Sequence, residues 1–327
     1  MATIDKNIIS VFEQIKSDIF QTRGKVLSDA NRELLSMYFR IGKIIAENVK
    51  YGNNFINELS KSLKMEFPEN DGYSPRNLAR MRKFYDTYKD LSILPPSVAK
   101  LPWTHNFILI EKIKNFDERI WYAQKCIENG WSKIVLEHQI ELKLYERQAD
   151  LSKKLTNFEN KLPAPQSELS RDIIKDPYIF ELVGLKEKIV EKDIETAMLE
   201  QIKTVLLELG KGFSFVGNQY RISTPNNDYI IDLLFYHLEL RCYVVVELKN
   251  VDFKPDFIGQ LQFYITAVDE ILKKEADNPT IGLLLCKGKD KYSVEWALKS
   301  TTAPIGVASY EIRNYLPTEE ELNKYLK

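Results

Sequence analysis

The stretch that decides the fold is Tyr229–His237, YIIDLLFYH, with Arg241–Asn250, RCYVVVELKN, close behind it. Both are runs of β-branched, aromatic and aliphatic residues of strand length, separated by the short connection LEL. Each carries a charge where a buried strand should have none: Asp232 in the middle of the first, Glu247 and Lys249 at the end of the second. Strand periodicity puts Ile230, Asp232, Leu234 and Tyr236 on one face, and Tyr243, Val245, Glu247 and Lys249 on one face of the next strand. A carboxylate in mid-strand is costly unless something pairs with it. If the strands are neighbours, Asp232 and Glu247 converge with Lys249 beside them. Their repulsion would be relieved by a hard divalent cation with oxygen ligands, Mg²⁺ or Mn²⁺. A plain ion-pair network of the three is the alternative. A second Glu-Leu-Lys, Glu141–Lys143, serves as a control: read as helix, its two charges face different directions and have no strand aspartate beside them.

Working outward, the same half of the chain predicts the order α-β-β-β-α-β-α-β. A helix over DIETAMLEQIKTVLLELGKG precedes the strands FSFVGNQYRIS, YIIDLLFYH and RCYVVVELKN. The helix PDFIGQLQFYITAVDEILKKE, the strand TIGLLLCKG, the helix SVEWALKS and the strand IGVASYEI follow. This order implies a mixed sheet with helices packed on it, an α/β fold in which a meander gives way to helical crossovers. The first half reads instead as helices, with Gly52 as a C-cap and with Ser74 and Pro75 opening a helix over RNLARMRKFYDTYKDL. Between them, the stretch from 151 to Pro177 holds three prolines and few large apolar residues. The expected division is therefore a helical domain over 1–150, a linker over 151–176 and an α/β domain over 177–327.

Composition bounds the rest. The chain has 327 residues, 44% apolar and 28% charged, with a net charge of −1, so any nucleic-acid contact must use local patches rather than a global field. Three scattered cysteines suggest neither a disulfide framework nor a zinc site, and no apolar run approaches the ~20 residues of a membrane span. A cytoplasmic protein is the expectation.

The pattern Asp232, a short gap, then Glu247-x-Lys249 resembles the PD-(D/E)xK nuclease signature, and the element order matches that core. The blocks LLELGKGFSFVGNQYRI, YIIDLLFYH, VVVELKNVDFKPDFIGQLQFYI and GLLLCK resemble the C-terminal domain of the YhcG-type family of bacterial nucleases. YSPRNLARMRKFY, LPWTHN and CIENGWSKIVLEHQI resemble that family's helical N-terminal domain. The resemblance implies a metal-dependent phosphodiesterase acting on DNA, with Asp232, Glu247 and the Leu248 carbonyl holding Mg²⁺ or Mn²⁺. Lys249 would position a water or stabilise the transition state. Glu208 matches the auxiliary acid that many members carry on the preceding helix, and Gln260 with Tyr264 resembles their Q-x-x-x-Y element. The proline that leads the signature is replaced by Ile231.

In the N-terminal half, Arg76, Arg80 and Lys83 share one sector of a helix whose opposite side carries Leu78, Met81, Tyr85 and Tyr88. A row of cations on such a helix is how helix-turn-helix or winged-helix readers meet phosphates, and a solvated basic face is the alternative. Asn77 is either a base contact or a helix-start residue. Lys211, Arg221, Lys254 and Lys287 are candidate phosphate contacts near the cleft. A non-catalytic binding module and an RNA-processing nuclease remain alternative functions, and a homodimer or protein partner is an open expectation.

Overall fold

The computed structural model describes residues 6–48, 54–91, 94–150, 154–182, 191–224 and 227–314, in two compact units that divide between Glu141 and Leu142. Gly52 lies outside the described residues.

The first unit is helical among its described residues: α1 (Lys6–Asn48), α2 (Phe55–Glu66), α3 (Pro75–Tyr88), α4 (Pro96–Lys100), α5 (Trp103–Lys112), α6 (Phe116–Asn129) and α7 (Lys133–Glu141). Helix α3 starts where the sequence predicts, since the Ser74 hydroxyl accepts the Asn77 N–H at 3.3 Å and Pro75 occupies the first turn. Its buried residues Leu78, Met81, Phe84 and Tyr88 recur at three- and four-residue steps and pack toward α1 and α5. Gly42 is what lets α1 and α3 approach, because a Cβ there would lie 2.1 Å from the Met81 carbonyl oxygen. Helix α7 ends at Glu141 and Lys143 takes a left-handed φ of 53°, so the control Glu-Leu-Lys sits at a helix end rather than within a helix.

The second unit contains α8 (Leu144–Gln148), β1 (Leu155–Thr156), α9 (Phe158–Lys161), α10 (Gln166–Ile173), β2 (Tyr178–Leu182), α11 (Glu191–Glu200) and α12 (Ile202–Leu209). Then come β3 (Phe213–Ser223), β4 (Asp228–His237), β5 (Cys242–Lys249), α13 (Asp256–Ile271), β6 (Ile281–Cys286), α14 (Lys291–Ser300) and β7 (Ile305–Asn314). The strand order is β1-β7-β6-β5-β4-β3, with β2 also pairing β7. As expected from the sequence, β3, β4 and β5 form an antiparallel meander, and β5, β6 and β7 run parallel through the crossovers α13 and α14. Alternation in β5 splits its apolar residues between two cores. Val244, Val246 and Leu248 pack with Ile194, Met198 and Val205 of α11 and α12, whereas Val245 packs with Leu261, Ile265 and Val294 of α13 and α14.

The expected linker is instead built into this unit. Leu155 and Thr156 pair with Val307 and Gly306, Phe158 is fully buried, and the Asn157 side chain bonds the backbone of Ile305 and Ala303. Composition misleads here because a polar side chain can be buried through hydrogen bonds to the backbone: Lys154 donates to the carbonyls of Arg171 (2.9 Å) and Asp172 (3.2 Å). No helix among the described residues is long and apolar enough to cross a membrane.

Candidate metal centre

The site forms where β4 and β5 part company. Their last paired residues are Leu233 and Val246, and beyond them Asp232 faces the end of β5. Side-chain alternation in β4 slips at this point: Ile231 and Leu234, three residues apart, share one core, while Leu233 and Phe235 share the other. This corrects the expectation that Ile230, Asp232, Leu234 and Tyr236 form one uninterrupted face, since Ile230 is 48% exposed. On the other neighbour, β3, register runs from Asn218↔Leu233 to Tyr220↔Ile231, and the intervening Gln219 has a φ of 44°. Both strands are irregular at the same level.

Released from the ladder, Asp232 turns to β5. Its Oδ2 accepts the Leu248 N–H at 3.0 Å, and its own N–H points to Glu247 Oε1 at 3.4 Å. Two further acids arrive from α11, whose first turn carries Glu191 and, one turn on, Glu195. Carboxylate oxygens of Glu191, Glu195 and Asp232 all lie within 4.8 Å of one another. Lys249 Nζ bridges the group, 3.2 Å from Glu191 Oε1 and 3.4 Å from Glu247 Oε2. The Asn250 N–H donates to Glu191 Oε2 at 3.2 Å, and the Gln219 side-chain amide donates to Glu195 Oε2.

This crowding shows in the protonation equilibria. Burial, then the charge of Asp232, pushes Glu247 up to about 8, with Lys249 working against the shift. Burial also raises Asp232 and Glu195, the latter further through Asp232. For Lys249 burial opposes the ammonium, but Glu247, Asp232 and Glu191 outweigh it and raise its pKa. Four carboxyl groups thus share one ammonium. An all-oxygen donor set with surplus negative charge suits a small hard cation, so these residues fit Mg²⁺ or Mn²⁺.

The other residues singled out in the sequence divide. Glu208 is not in the cluster: it is 3% exposed and bound to Arg147 (2.5 Å), Lys175 (3.5 Å) and the Ile179 N–H (2.8 Å), so it neutralises a buried cationic pair. Glu191 and Glu195 take the helix position expected of it. Their signal in the sequence is an i, i+4 acidic pair in EKDIE, and the helix begins at Glu191, ahead of the start expected at Asp193. Leu248 meets the acids through its amide. Gln260 and Tyr264 share a face of α13, joined by a 3.0 Å hydrogen bond.

The basic helix α3 is narrower than its sequence implies. Arg76 and Lys83 are exposed, but the Arg80 guanidinium lies 3.8 Å over the Phe107 ring. Both ends of the Asn77 amide are used internally, donating to Gly72 O at 2.6 Å and accepting from Trp103 Nε1 at 2.8 Å, which makes it the helix-start residue and not a base contact. Lys211 and Arg221 are paired with Glu239 and Asp228 at the surface, whereas Lys254 and Lys287 are exposed.

A mixed sheet with an antiparallel meander, parallel crossovers and an acid-acid-lysine cluster at the strand ends defines the PD-(D/E)xK nuclease class. Within that class the chain belongs to the YhcG/DUF1016 family, with residues 171–327 matching the YhcG PDDEXK nuclease domain and residues 14–147 the DUF1016 N-terminal domain. It is 28% identical over 361 aligned positions, covering 98% of this chain and 95% of the other, to the Escherichia coli (strain K12) protein described as "Putative nuclease YhcG". Among solved structures, a repair endonuclease from Pyrococcus abyssi aligns with 17% identity and a TM-score of 0.25, over 41% of this chain and 50% of that one. An EndoMS-dsDNA2 complex aligns with 14% identity and a TM-score of 0.27, over 41% and 51%.

Proposed function

We propose that this chain is a Mg²⁺- or Mn²⁺-dependent nuclease that hydrolyses phosphodiester bonds of DNA, with the helical unit contributing nucleic-acid contacts. The observation that carries the reading is the convergence of Glu191, Glu195 and Asp232 within 4.8 Å, with Glu247 and Lys249 in hydrogen-bond range of the same group. When bound, the cation would polarise the scissile phosphate and lower the pKa of a coordinated water. Asp232, Glu191, Glu195 and Glu247 would hold it, and the Leu248 N–H keeps the Asp232 carboxylate oriented. Lys249, held charged by its acidic neighbours, presents an ammonium to negative charge developing on the phosphate oxygens. Gln260 and Tyr264 of α13, and the exposed Lys254 in the turn before it, supply polar contacts for the phosphate backbone; Arg76 and Lys83 do so in the helical unit.

The test is cleavage by the purified chain of linear duplex, branched and single-stranded DNA with Mg²⁺ or Mn²⁺. Asp232→Ala and Lys249→Ala should each lower the rate on the order of 10²- to 10³-fold while leaving circular dichroism unchanged. Wild-type inactivity on every DNA substrate would sink the proposal and favour a non-catalytic binding module, and activity confined to RNA would reassign the substrate.

A further inference from the structure

We propose that Gln219 is a positioning residue, held in a strained backbone conformation so that its amide fixes Glu195 within the acidic cluster. The inference rests on the metal-site reading above.

Among the described residues, three that are not glycine have positive φ: Lys143, Gln219 and Arg241. Lys143 lies between two helices and Arg241 in the turn between β4 and β5, where a left-handed residue reverses the chain. Gln219 has no such excuse. It sits inside β3, flanked by residues that pair normally with β4, and a left-handed φ there costs backbone energy without making a turn. Strain of this kind persists where the surroundings impose it, and it concentrates at functional sites.

What the distortion delivers is visible in the side chain. Its Nε2 donates to Oε2 of Glu195, an acid that is 7% exposed and inside the cluster. The same level of the sheet is where Asp232 leaves the β4 ladder. One irregularity shared by two strands therefore frees the aspartate on one and aims an amide from the other. The hydrogen bond to Oε2 fixes the direction in which the Glu195 carboxylate presents its remaining lone pairs to the cluster. Hydrogen bonds to a metal-ligating carboxylate commonly set affinity in this way.

The test compares wild type with Gln219→Gly and Gln219→Asn by calorimetric titration with MnCl₂ alone, alongside thermal melts of the metal-free proteins. Glycine removes both the strain and the amide. Asparagine tolerates the left-handed region but reaches one methylene less. Both variants should bind Mn²⁺ roughly 10-fold or more weakly, and Gln219→Gly should melt at or above the wild-type temperature. Wild-type affinity in both variants would overturn the role given to Gln219, as would a Gln219→Gly variant that melts lower and binds normally. A wild type that binds no Mn²⁺ would sink the metal-site reading itself, a distinct result.

Discussion

Removing the charge of Glu247 should make the metal-free protein more stable at alkaline pH. Glu247 is 1% exposed and its pKa stands at about 8 against an ordinary 4.5. A carboxyl raised in the folded state keeps its proton there while the unfolded chain has already released it. Stability is therefore complete below about pH 4.5 and is lost as pH climbs toward 8. At ~1.4 kcal/mol per pH unit the ceiling on that loss is roughly 5 kcal/mol. Relaxation and water entry around a buried charge soften it, and a measured loss of about 2–4 kcal/mol is expected. Asp232 and Glu195, also raised, add in the same direction. His237 acts oppositely: burial lowers its pKa, so its contribution grows as pH rises toward its ordinary value. The Glu247→Gln variant retains His237 and isolates the carboxyl. Urea denaturation followed by circular dichroism in EDTA, from pH 5 to 8, should give a falling curve for wild type and a flatter one for Glu247→Gln, with the variant more stable at pH 8. Saturating Mn²⁺ should lift the wild type most at the alkaline end. Equal slopes for the two proteins would refute the electrostatic account of the cluster.

Glu208→Ala should destabilise the second unit by about 3–5 kcal/mol, because Arg147 and Lys175 are left buried without their acid; calorimetry should find Mn²⁺ affinity unchanged, the reverse of what a metal ligand would give. Gly42→Ala forces a Cβ into the Met81 carbonyl and should cost about 1–3 kcal/mol in a thermal melt. Replacing Arg76 and Lys83 together by Ala should weaken DNA binding and shrink the slope of log affinity against log salt by about 1–2 in fluorescence anisotropy. Arg80→Ala should instead lower stability by roughly 0.5–2 kcal/mol through the loss of its stacking on Phe107.

The parts of this molecule legible in its sequence are those where one physical signal dominates. Strands β4, β5 and β6 are apolar runs with turns at both ends, so their existence, order and charged intrusions could be read directly. Strands β1 and β2 could not, because the first has two residues and both depend on β7, more than a hundred positions away. Glu208 misses the acidic cluster for a reason of helix phase. Read as a single helix from Asp193, the segment offers Glu208 near its end. The helix breaks at Gln201, with φ −115° and ψ 35°. Even unbroken, it would put Glu195 and Glu208 about 140° apart around the axis. Gln219 was invisible for another reason: a left-handed residue within a strand leaves no mark in residue type unless it is glycine or asparagine.

The arginine that neutralises Glu208 also sets a limit on how this protein can be divided. Arg147 reaches the buried acid from α8, anchored by the carbonyls of Leu142 and Pro177 as well. That helix lies more than twenty positions ahead of residue 171, where the nuclease-domain match begins. A fragment cut at the match would keep the acids and the lysine but lose β1, Phe158 and the guanidinium. A fragment designed to keep this anchor should therefore begin near Leu142, and loss of folding in a shorter one would report the severed ion pair.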